Sequence, residues 1–388
     1  MNNYFIYLED APVDSGMVAR GLSKALLPTL MAIDYKVIGY LIRRLKSTVP
    51  ARHMPQIVRR KSFEIKDNQR ISRLVWRIAA LTRSKLILFS MVSILTDRFS
   101  LSFKMTSEED CCLFAPIGID AGSMVRAWVH AKRIGVPLHV YFVDDLETHP
   151  SNSKICNLNW LIAQVLEESA QIYTVTEELG QLFAARYRVS YKVLPLVSSN
   201  VFSGVRTDCK AKYFGVYLGS INHLYKDGLS ILINEVEKLR NISDLNLRLR
   251  LISSPADAAT LRDAALPAWI DCGTEKCDEK IRSDIRESMF CFLPYSFEGT
   301  EKIMVSTSFP SKMLNYLTDA RAIVVFAPTY STASKILNRF NLPFVVSTVK
   351  DLGVTLSTIL YEKPELSADY YGIVDQMYSP SAIRKILE

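Results

Sequence analysis

The stretch that decides the fold is Ser288–Pro328, SMFCFLPYSFEGTEKIMVSTSFPSKMLNYLTDARAIVVFAP. It begins with the apolar run Met289–Leu293, which is too short for a helix and typical of a strand buried on both faces. It ends with a second run, Ala322–Phe326, rich in β-branched residues. Between them, Pro310–Asp319 carries apolar residues at three- and four-residue spacing, which predicts a helix. The three segments predict a parallel βαβ crossover, in which ligands bind beyond the carboxyl ends of the strands.

The start of this predicted helix has the composition of an anion site. Four residues lie in or beside its first turn: Ser308, Pro310, Ser311 and Lys312. Free backbone amides and the positive end of the helix dipole favour a bound anion there. The hydroxyls add donors, and the lysine adds a mobile positive charge suited to phosphate. The alternative is that a serine caps the helix while Lys312 is solvated, and from these residues alone both interpretations stay open.

The composition indicates a folded protein with two domains and no metal site. The chain has 388 residues, of which 49% are hydrophobic, enough for two cores. Its seven cysteines form no CxxC pair and no spacing with histidine that is typical of zinc, which favours buried thiols in a reducing compartment. The sequence predicts neither a signal peptide nor a run long enough to span a bilayer.

The positive charge is concentrated in the amino-terminal half. Up to Leu196 the chain has 25 Lys and Arg against 18 Asp and Glu, whereas the remainder has 22 of each. Lys36–Lys85 alone holds 14 basic residues and two acidic ones, with apolar residues among them. This pattern predicts that residues 36–85 bind an anionic membrane surface. The alternatives are a solvated basic helix face and a nucleic-acid surface, the latter disfavoured because no binding motif accompanies the charge.

The order of apolar segments predicts two successive open α/β domains. Residues 1–197 form the first, residues 198–370 the second, and residues 371–388 a carboxyl-terminal helix that packs back on the first domain. The predicted first strand is followed by a loop that contains Ser15 and Gly16. The loop lacks the three glycines of a dinucleotide fingerprint, so it is interpreted as part of an acceptor site. Residues 86–89 are predicted to form a further strand.

Two adjacent carboxylates follow a buried strand of the first domain. The apolar run Pro137–Val143 leads into Asp144 and Asp145, which places both at the ligand-facing edge of a parallel sheet. A carboxylate in this place can act as the general base for an acceptor hydroxyl. The alternative is that both simply cap the following turn. His149 lies nearby and is assigned to acceptor binding, with a weaker case as the base.

Four sequence landmarks, taken together, resemble one enzyme family. They are Phe142–Glu147 followed by Tyr173–Glu178, then Val193–Pro195, Tyr217–Ser220 and Ser308–Leu317. The last is similar to an S-x-P-x-K-x-x-E-Y-L helix, with Asn315 in place of the acid. Together they resemble the GT-B glycosyltransferases, especially the family 4-like enzymes of bacterial polysaccharide assembly. The resemblance implies an α/β fold of two Rossmann-like domains that face each other across a cleft.

The resemblance also implies a donor site in the second domain. The donor would be a nucleotide-diphosphate sugar with uridine or guanosine as its base, and no other cofactor would be needed. The helix dipole and a lysine, rather than a metal ion, would stabilise the leaving diphosphate. The residues implied for the diphosphate are Lys312, Ser311, Ser308, Gly219 and Ser220, and those for the nucleotide and sugar are Gly273, Thr274, Tyr295, Glu298 and Glu301.

The chain departs from the family where stereochemistry is decided. The spaced pair of glutamates that retaining members carry is missing after Pro294. The strand that ends at Asp144 and Asp145 is instead similar to the catalytic aspartate site of the xanthan glucuronosyltransferase, an inverting enzyme on the same fold. Asp145 is therefore the preferred base, while the stereochemistry, the sugar and the linkage stay open.

These features together predict a glycosyltransferase that is peripheral on the cytoplasmic face of the cytoplasmic membrane. It would transfer a sugar to a lipid-linked or growing bacterial saccharide. Two alternatives stay open. The first is a nucleotide-sugar epimerase of the same fold, which would have little use for the basic residues 36–85. The second is a non-catalytic nucleotide-sugar-binding scaffold, which the missing glutamate pair keeps open.

Overall fold

The chain divides into two compact units in a computed structural model. The units are Met1–Pro195 together with Ile383–Glu388, and Leu196–Ala382. Which unit binds donor and which binds acceptor stays a prediction. The structure describes the backbone of residues 3–10, 37–44 and 62–64, and then residues 77–87, 111–118, 120–149, 152–197, 212–243, 246–254, 257–259, 261, 266–274, 278–342, 344–363 and 368–387.

The first unit contains a seven-stranded parallel sheet. Its strands are β1 (Asn3–Asp10), β2 (Val37–Arg44), β3 (Ser62–Glu64), β4 (Cys111–Ile117), β5 (Leu138–Phe142), β6 (Gln171–Thr174) and β7 (Lys192–Val193). Their order is β3-β2-β1-β4-β5-β6-β7, and every neighbouring pair is parallel. This is the strand order of a Rossmann fold with a seventh strand added at one edge. β4 and β5 are buried along their whole length, as their apolar sequences require.

Three helices of this unit are described from end to end, and residues 77–82 are also helical. They are α1 (Ala121–Ile134), α2 (Leu158–Glu167) and α3 (Glu177–Tyr187). α3 begins at Thr176, whose hydroxyl accepts a hydrogen bond from the Leu179 amide, a typical amino-terminal cap. Residues 85–87 are helical, so the predicted strand at residues 86–89 is wrong over its first half. No helix among the described residues is long and apolar enough to cross a membrane.

The second unit contains a six-stranded parallel sheet with the Rossmann order. Its strands are β8 (Lys212–Leu218), β9 (Arg248–Ile252), β10 (Ile270–Gly273), β11 (Ser288–Pro294), β12 (Ile323–Phe326) and β13 (Val345–Val346). They are arranged β10-β9-β8-β11-β12-β13, all parallel. The order reverses between β8 and β11, and the crevice at such a switch point is where ligands bind in open α/β sheets.

The helices of the second unit include the one predicted for the βαβ crossover, which lies at the centre of the unit and is confirmed. The helices are α4 (Lys226–Ser243), α5 (Asp278–Glu287), α6 (Lys302–Thr307), α7 (Lys312–Asp319), α8 (Thr332–Arg339), α9 (Val349–Glu362), α10 (Ala368–Tyr378) and α11 (Pro380–Leu387), of which α11 extends into the first unit. α7 connects β11 to β12 and starts two residues later than predicted. The sequence did not predict α6.

The two apolar runs of the crossover become the central strands of the core. All seven residues of β11 and all four of β12 are buried, and Phe290, Phe292 and Val324 belong to one apolar cluster. α4 approaches β11 closely because residue 228 is glycine: a Cβ there would lie 2.4 Å from the Cβ of Pro294. The packing therefore fixes the loop between β8 and α4 against the end of β11.

Candidate functional site

Two predicted donor-site residues meet at the carboxyl end of β8. Gly219 follows this strand with φ +131°, a backbone conformation that favours glycine. A Cβ at this position would lie 3.0 Å from the Lys312 Nζ. The backbone at the end of β8 and the first side chain of α7 are therefore in contact at the switch point of the second sheet. Both residues are among those that the family resemblance implies for the donor diphosphate.

The Lys312 ammonium lies among tyrosines. Its Nζ is 3.5 Å from the centroid of the Tyr225 ring and 4.7 Å from that of Tyr217, and it donates a hydrogen bond of 3.2 Å to the Tyr217 hydroxyl. Among the described residues, no carboxylate lies within 4 Å of Nζ. The side chain as a whole is partly exposed, but burial of the ammonium lowers the pKa of Lys312 to about 7, since desolvation disfavours the charged form.

Tyr316 fixes α7 to both strands of the switch point. Its hydroxyl accepts a hydrogen bond of 2.8 Å from the Leu218 amide and donates one of 3.4 Å to the Phe292 carbonyl. The side chain is fully buried, and this burial raises the pKa of Tyr316 well above its usual value. Because Tyr316 lies one turn after Lys312, this contact also sets where Lys312 projects.

The far end of α7 is held by an ion pair with α5. Asp319 accepts hydrogen bonds from Arg282 Nε at 3.0 Å and Arg286 Nε at 2.8 Å, and its side chain is almost completely buried. A carboxylate at the carboxyl end of a helix is unfavourable for the helix dipole. The two guanidinium groups offset this effect and anchor α7 in a fixed orientation.

The predicted hydroxyl ligands lie on both sides of Lys312. Ser311 occupies the residue before α7, is exposed and makes no capping hydrogen bond, so it does not serve as a side-chain cap. Ser308 is partly buried at the end of α6. Ser220 is exposed after Gly219, and its carbonyl accepts a hydrogen bond from the Tyr217 hydroxyl.

A contact between His223 and Glu301 joins the loops that follow β8 and β11. The His223 Nε2 lies 3.5 Å from Glu301 Oε1; His223 follows β8, and Glu301 ends the 3₁₀ turn Gly299–Glu301 after β11. Glu301 is one of the residues implied for the nucleotide and sugar. His223 was not predicted, although the sequence places it just after a strand end. Glu298, the other predicted glutamate, is exposed, and its amide donates to Ser296 Oγ at 3.1 Å.

Asp257 organises the loop that follows β8. Its Oδ2 accepts hydrogen bonds from the Ile221 amide at 3.3 Å, Ser253 Oγ at 3.0 Å and Ser254 Oγ at 2.8 Å. The carboxylate thereby ties the segment that carries Ser220 to the end of β9. The sequence did not predict this role of Asp257, because no motif relates the residues that the contact joins.

The remaining predicted nucleotide and sugar residues are placed along the same sheet edge. Tyr295 is buried after β11, with its ring centroid 5.6 Å from that of Tyr225. Gly273 ends β10, where its carbonyl accepts from the Ser253 amide at 3.0 Å, and Thr274 follows, partly buried. β10 lies two strands from β8, or about 10 Å by strand spacing. The structure therefore places Tyr295 against Tyr225, which contacts Lys312, and places Gly273 and Thr274 two strands away along the same edge.

In the first unit, Asp145 forms an internal ion pair. Both carboxylate oxygens accept hydrogen bonds of 2.9 Å from the Arg186 Nη1, and the Asp145 side chain has no exposed area. Burial lowers the pKa of Arg186, but the charge and hydrogen bond of Asp145 outweigh it, so the net pKa is raised. The adjacent Glu147 accepts from the Tyr187 hydroxyl. This geometry favours a structural role for Asp145 over the predicted role of general base.

The other predicted acceptor residues are less constrained. Asp144 and His149 are partly exposed, and each has at least one polar or electrostatic contact. Ser15 and Gly16 lie outside the described residues. Among the residues that are described, no group of three or more His, Cys, Asp or Glu side chains is arranged to hold a metal ion.

Comparison with known proteins shows the fold. No protein-family model matches the chain, and no curated protein matches its sequence. The α,α-trehalose 6-phosphate synthase of Burkholderia multivorans matches with a TM-score of 0.66 at 10% identity, over 100% of this chain and 97% of that one. The sucrose-phosphate synthase of Thermosynechococcus elongatus matches with a TM-score of 0.65 at 10% identity, over 100% and 97%.

A third similar structure carries ligands. A mutant of TarM from S. aureus, in complex with Fondaparinux, alpha-GlcNAc-glycerol and UDP, matches with a TM-score of 0.64 at 9% identity, over 100% of this chain and 99% of that one. At this identity the likeness shows the fold alone, so the predicted GT-B architecture of two Rossmann-like domains is confirmed. The likeness to family 4-like enzymes and to the xanthan glucuronosyltransferase stays a prediction.

Proposed function

We propose that this protein is a glycosyltransferase that moves a sugar from a nucleotide-diphosphate sugar to an acceptor hydroxyl. The observation that carries the proposal is the Lys312 ammonium, which abuts Gly219 at the switch point of the second sheet without a carboxylate partner among the described residues. Donor phosphates would supply the missing negative charge. The amino-terminal end of α7 would add its dipole and backbone donors.

The proposed donor is a UDP-sugar, with a GDP-sugar as the second choice. UDP is supported by its presence in the complex of the similar structure TarM. Glu301 would accept hydrogen bonds from sugar or ribose hydroxyls, because its pairing with His223 holds the carboxylate at the strand edge. Tyr295, Gly273 and Thr274 would flank the nucleotide.

The proposed chemistry needs charge stabilisation at the leaving diphosphate. As the bond between the sugar and the diphosphate oxygen breaks, negative charge grows on that oxygen. Lys312 and the first amides of α7 would stabilise it, which is the basis for proposing that no catalytic metal is required. The acceptor hydroxyl must lose a proton. Of the two predicted bases, Asp144 is better suited than Asp145, because its side chain is partly exposed and Asp145 is committed to Arg186.

The proposed acceptor is a lipid-linked or growing bacterial saccharide at the inner face of the cytoplasmic membrane. Support comes from the basic residues 36–85 and from the described end of that region. There Ile78, Leu81 and Leu86 are exposed by 40%, 60% and 81%, next to several basic side chains. Exposed apolar residues among cations are typical of surfaces that bind anionic bilayers.

A thermal-shift screen tests the donor site. Nucleotide-diphosphate sugars are added, with and without EDTA, to the wild type, to Lys312→Ala and to the matched control Lys350→Ala, whose side chain is exposed. We expect one UDP- or GDP-sugar to raise the melting temperature of the wild type and the control, but not of Lys312→Ala, with EDTA present. Absence of a shift with every donor, or an equal shift in Lys312→Ala, would contradict the proposal.

Product analysis separates the proposal from the two alternatives. A transferase releases the nucleoside diphosphate only when a saccharide acceptor is present. Conversion of the donor sugar without this release would identify an epimerase, and binding without either product would identify a scaffold. Asp144→Asn is expected to abolish transfer and to leave donor binding unchanged.

Vesicle sedimentation tests the membrane proposal. The protein is mixed with phosphatidylcholine vesicles with and without phosphatidylglycerol, at low and high salt. We expect binding only to the anionic vesicles, weakened by salt and by Leu86→Ser, which removes an exposed apolar side chain. If the protein binds no anionic vesicles at either salt concentration, the proposed membrane binding is wrong. The proposed donor site would not be affected by that result.

A further inference from the structure

The two tyrosines around Lys312 come from different parts of the second unit. Tyr217 lies in β8, and Tyr225 lies in the loop just before α4. Their ring centroids are 6.5 Å apart, with the planes inclined at 57°, and the Lys312 Nζ lies within cation–π distance of both. The backbone of Gly219 closes a third side.

A ring and a carboxylate hold an ammonium in different ways. A carboxylate neutralises the charge, so a phosphate that arrives later meets an ion pair and must compete with it. A ring face attracts the cation through its quadrupole and carries no net charge. A lysine held by rings is thus fixed in position without a counter-charge that a ligand would have to displace, and less side-chain freedom is lost when the ligand binds.

The two tyrosines differ in their burial and in their other contacts. Tyr217 is completely buried, and its hydroxyl also donates to the Ser220 carbonyl and so shapes the turn after β8. Tyr225 is partly exposed, and its ring is the closer of the two to the ammonium. Replacing Tyr225 therefore removes ring contact with the least disturbance of the strand.

We propose that Tyr217 and Tyr225 are positioning residues that hold the Lys312 ammonium at the diphosphate subsite, Tyr225 through its ring face and Tyr217 through its ring and hydroxyl. The inference rests on the proposed function, because it describes how the same donor site is prepared. Neither tyrosine belongs to the residues that the sequence assigned to the site. Their contribution is expected in donor affinity, since they act through Lys312.

Titration calorimetry with UDP tests the inference. The variants are Tyr225→Phe, Tyr225→Leu and Lys312→Met, together with the double variant of the last two. We expect Tyr225→Leu to weaken UDP binding about 2- to 30-fold, the range of a cation–π contact, and Tyr225→Phe to stay within about twofold of the wild type. In the Lys312→Met background, Tyr225→Leu should have no further effect. Tyr225→Met replaces Tyr225→Leu if the latter does not fold.

Each outcome separates this inference from the proposed function. If Lys312→Met loses UDP affinity but Tyr225→Leu binds like the wild type, the rings do not position the lysine and the donor site stands. An equal loss from Tyr225→Leu in both backgrounds would show a structural role independent of Lys312, and would also overturn the inference. If the folded wild type binds no nucleotide, the proposed function fails and the inference fails with it.

Discussion

The two units each place a buried charge near the carboxyl edge of a Rossmann-type sheet, but they treat it differently. In the first unit, Asp145 is sealed from solvent and bonded through both oxygens to Arg186. In the second, Lys312 is held by two rings and a glycine backbone. A charge that already has its counter-charge contributes to structure, whereas a charge held only by neutral groups is ready to bind an anion.

The largest effect is expected from breaking the ion pair of the first unit. Arg186→Ala leaves the Asp145 carboxylate buried without its partner, which costs about 3–5 kcal/mol of unfolding free energy. Urea unfolding at about pH 8 measures it, with exposed Lys154→Ala as the control. If Arg186→Ala is as stable as the control, Asp145 is not a structural ion and its role as the base regains support.

Removing the Lys312 charge in the second unit should weaken UDP binding without lowering the stability of the fold. Lys312→Met is expected to weaken UDP binding about 10- to 100-fold, because a hydrogen-bonded charge contact is lost. Its melting temperature should be at least that of the wild type, since a desolvated ammonium is replaced by an apolar side chain. Calorimetry and thermal unfolding measure the two effects. A marked fall in melting temperature would place Lys312 among the structural charges, like Asp145.

The contact that orients α7 should have an intermediate effect. Tyr316→Phe leaves the partly buried Leu218 amide without its acceptor, which costs about 1–3 kcal/mol. Chemical unfolding measures this cost, and Tyr361→Phe, at an exposed tyrosine, is the control. UDP affinity should also fall, because α7 carries Lys312. Unchanged stability would mean that α7 is held by its arginine contacts alone.

The smallest effect is a pH dependence of stability that belongs to Lys312. Its pKa is about 7 in the folded protein against an ordinary 10.5, so between these values the unfolded state binds more protons and stability rises with pH. Below pH 7 Lys312 is charged in both the folded and the unfolded state, so burying the ammonium destabilises the folded protein by its full amount. The stability difference between Lys312→Met and the wild type should therefore shrink from pH 7 to pH 9. For a fully buried group this stability difference would change by about 1.4 kcal/mol per pH unit. We expect a smaller change here because the Lys312 side chain is partly exposed. A constant difference would show that the ammonium is solvated.

Local patterns predicted the parts of the fold that depend on burial. The runs at Met289–Leu293 and Ala322–Phe326 became central strands because an apolar segment of that length has no other stable place in an α/β unit. The same reasoning failed at residues 86–87, where an apolar sequence is helical and Leu86 is exposed. A short apolar run does not reveal its period, and tertiary context decides it.

The sequence predicted candidate site residues that lie within one segment and missed contacts that join distant segments. Lys312 was assigned to the candidate site because serines, a proline and a lysine start one helix. Tyr217 lies in one of the four landmarks, but no motif includes Tyr225, and no motif predicts that either ring contacts Lys312. Asp145 was placed at the correct strand end, but its partner Arg186 is 41 residues away, so the sequence could not show that the carboxylate is already paired.

The most direct test of the central claim is a crystal structure of the protein with UDP bound. We expect a diphosphate at the carboxyl end of β8 and β11, with a phosphate oxygen about 3 Å from the Lys312 Nζ and the first turn of α7. A diphosphate bound elsewhere, with Lys312 still facing only its two tyrosine rings, would contradict it.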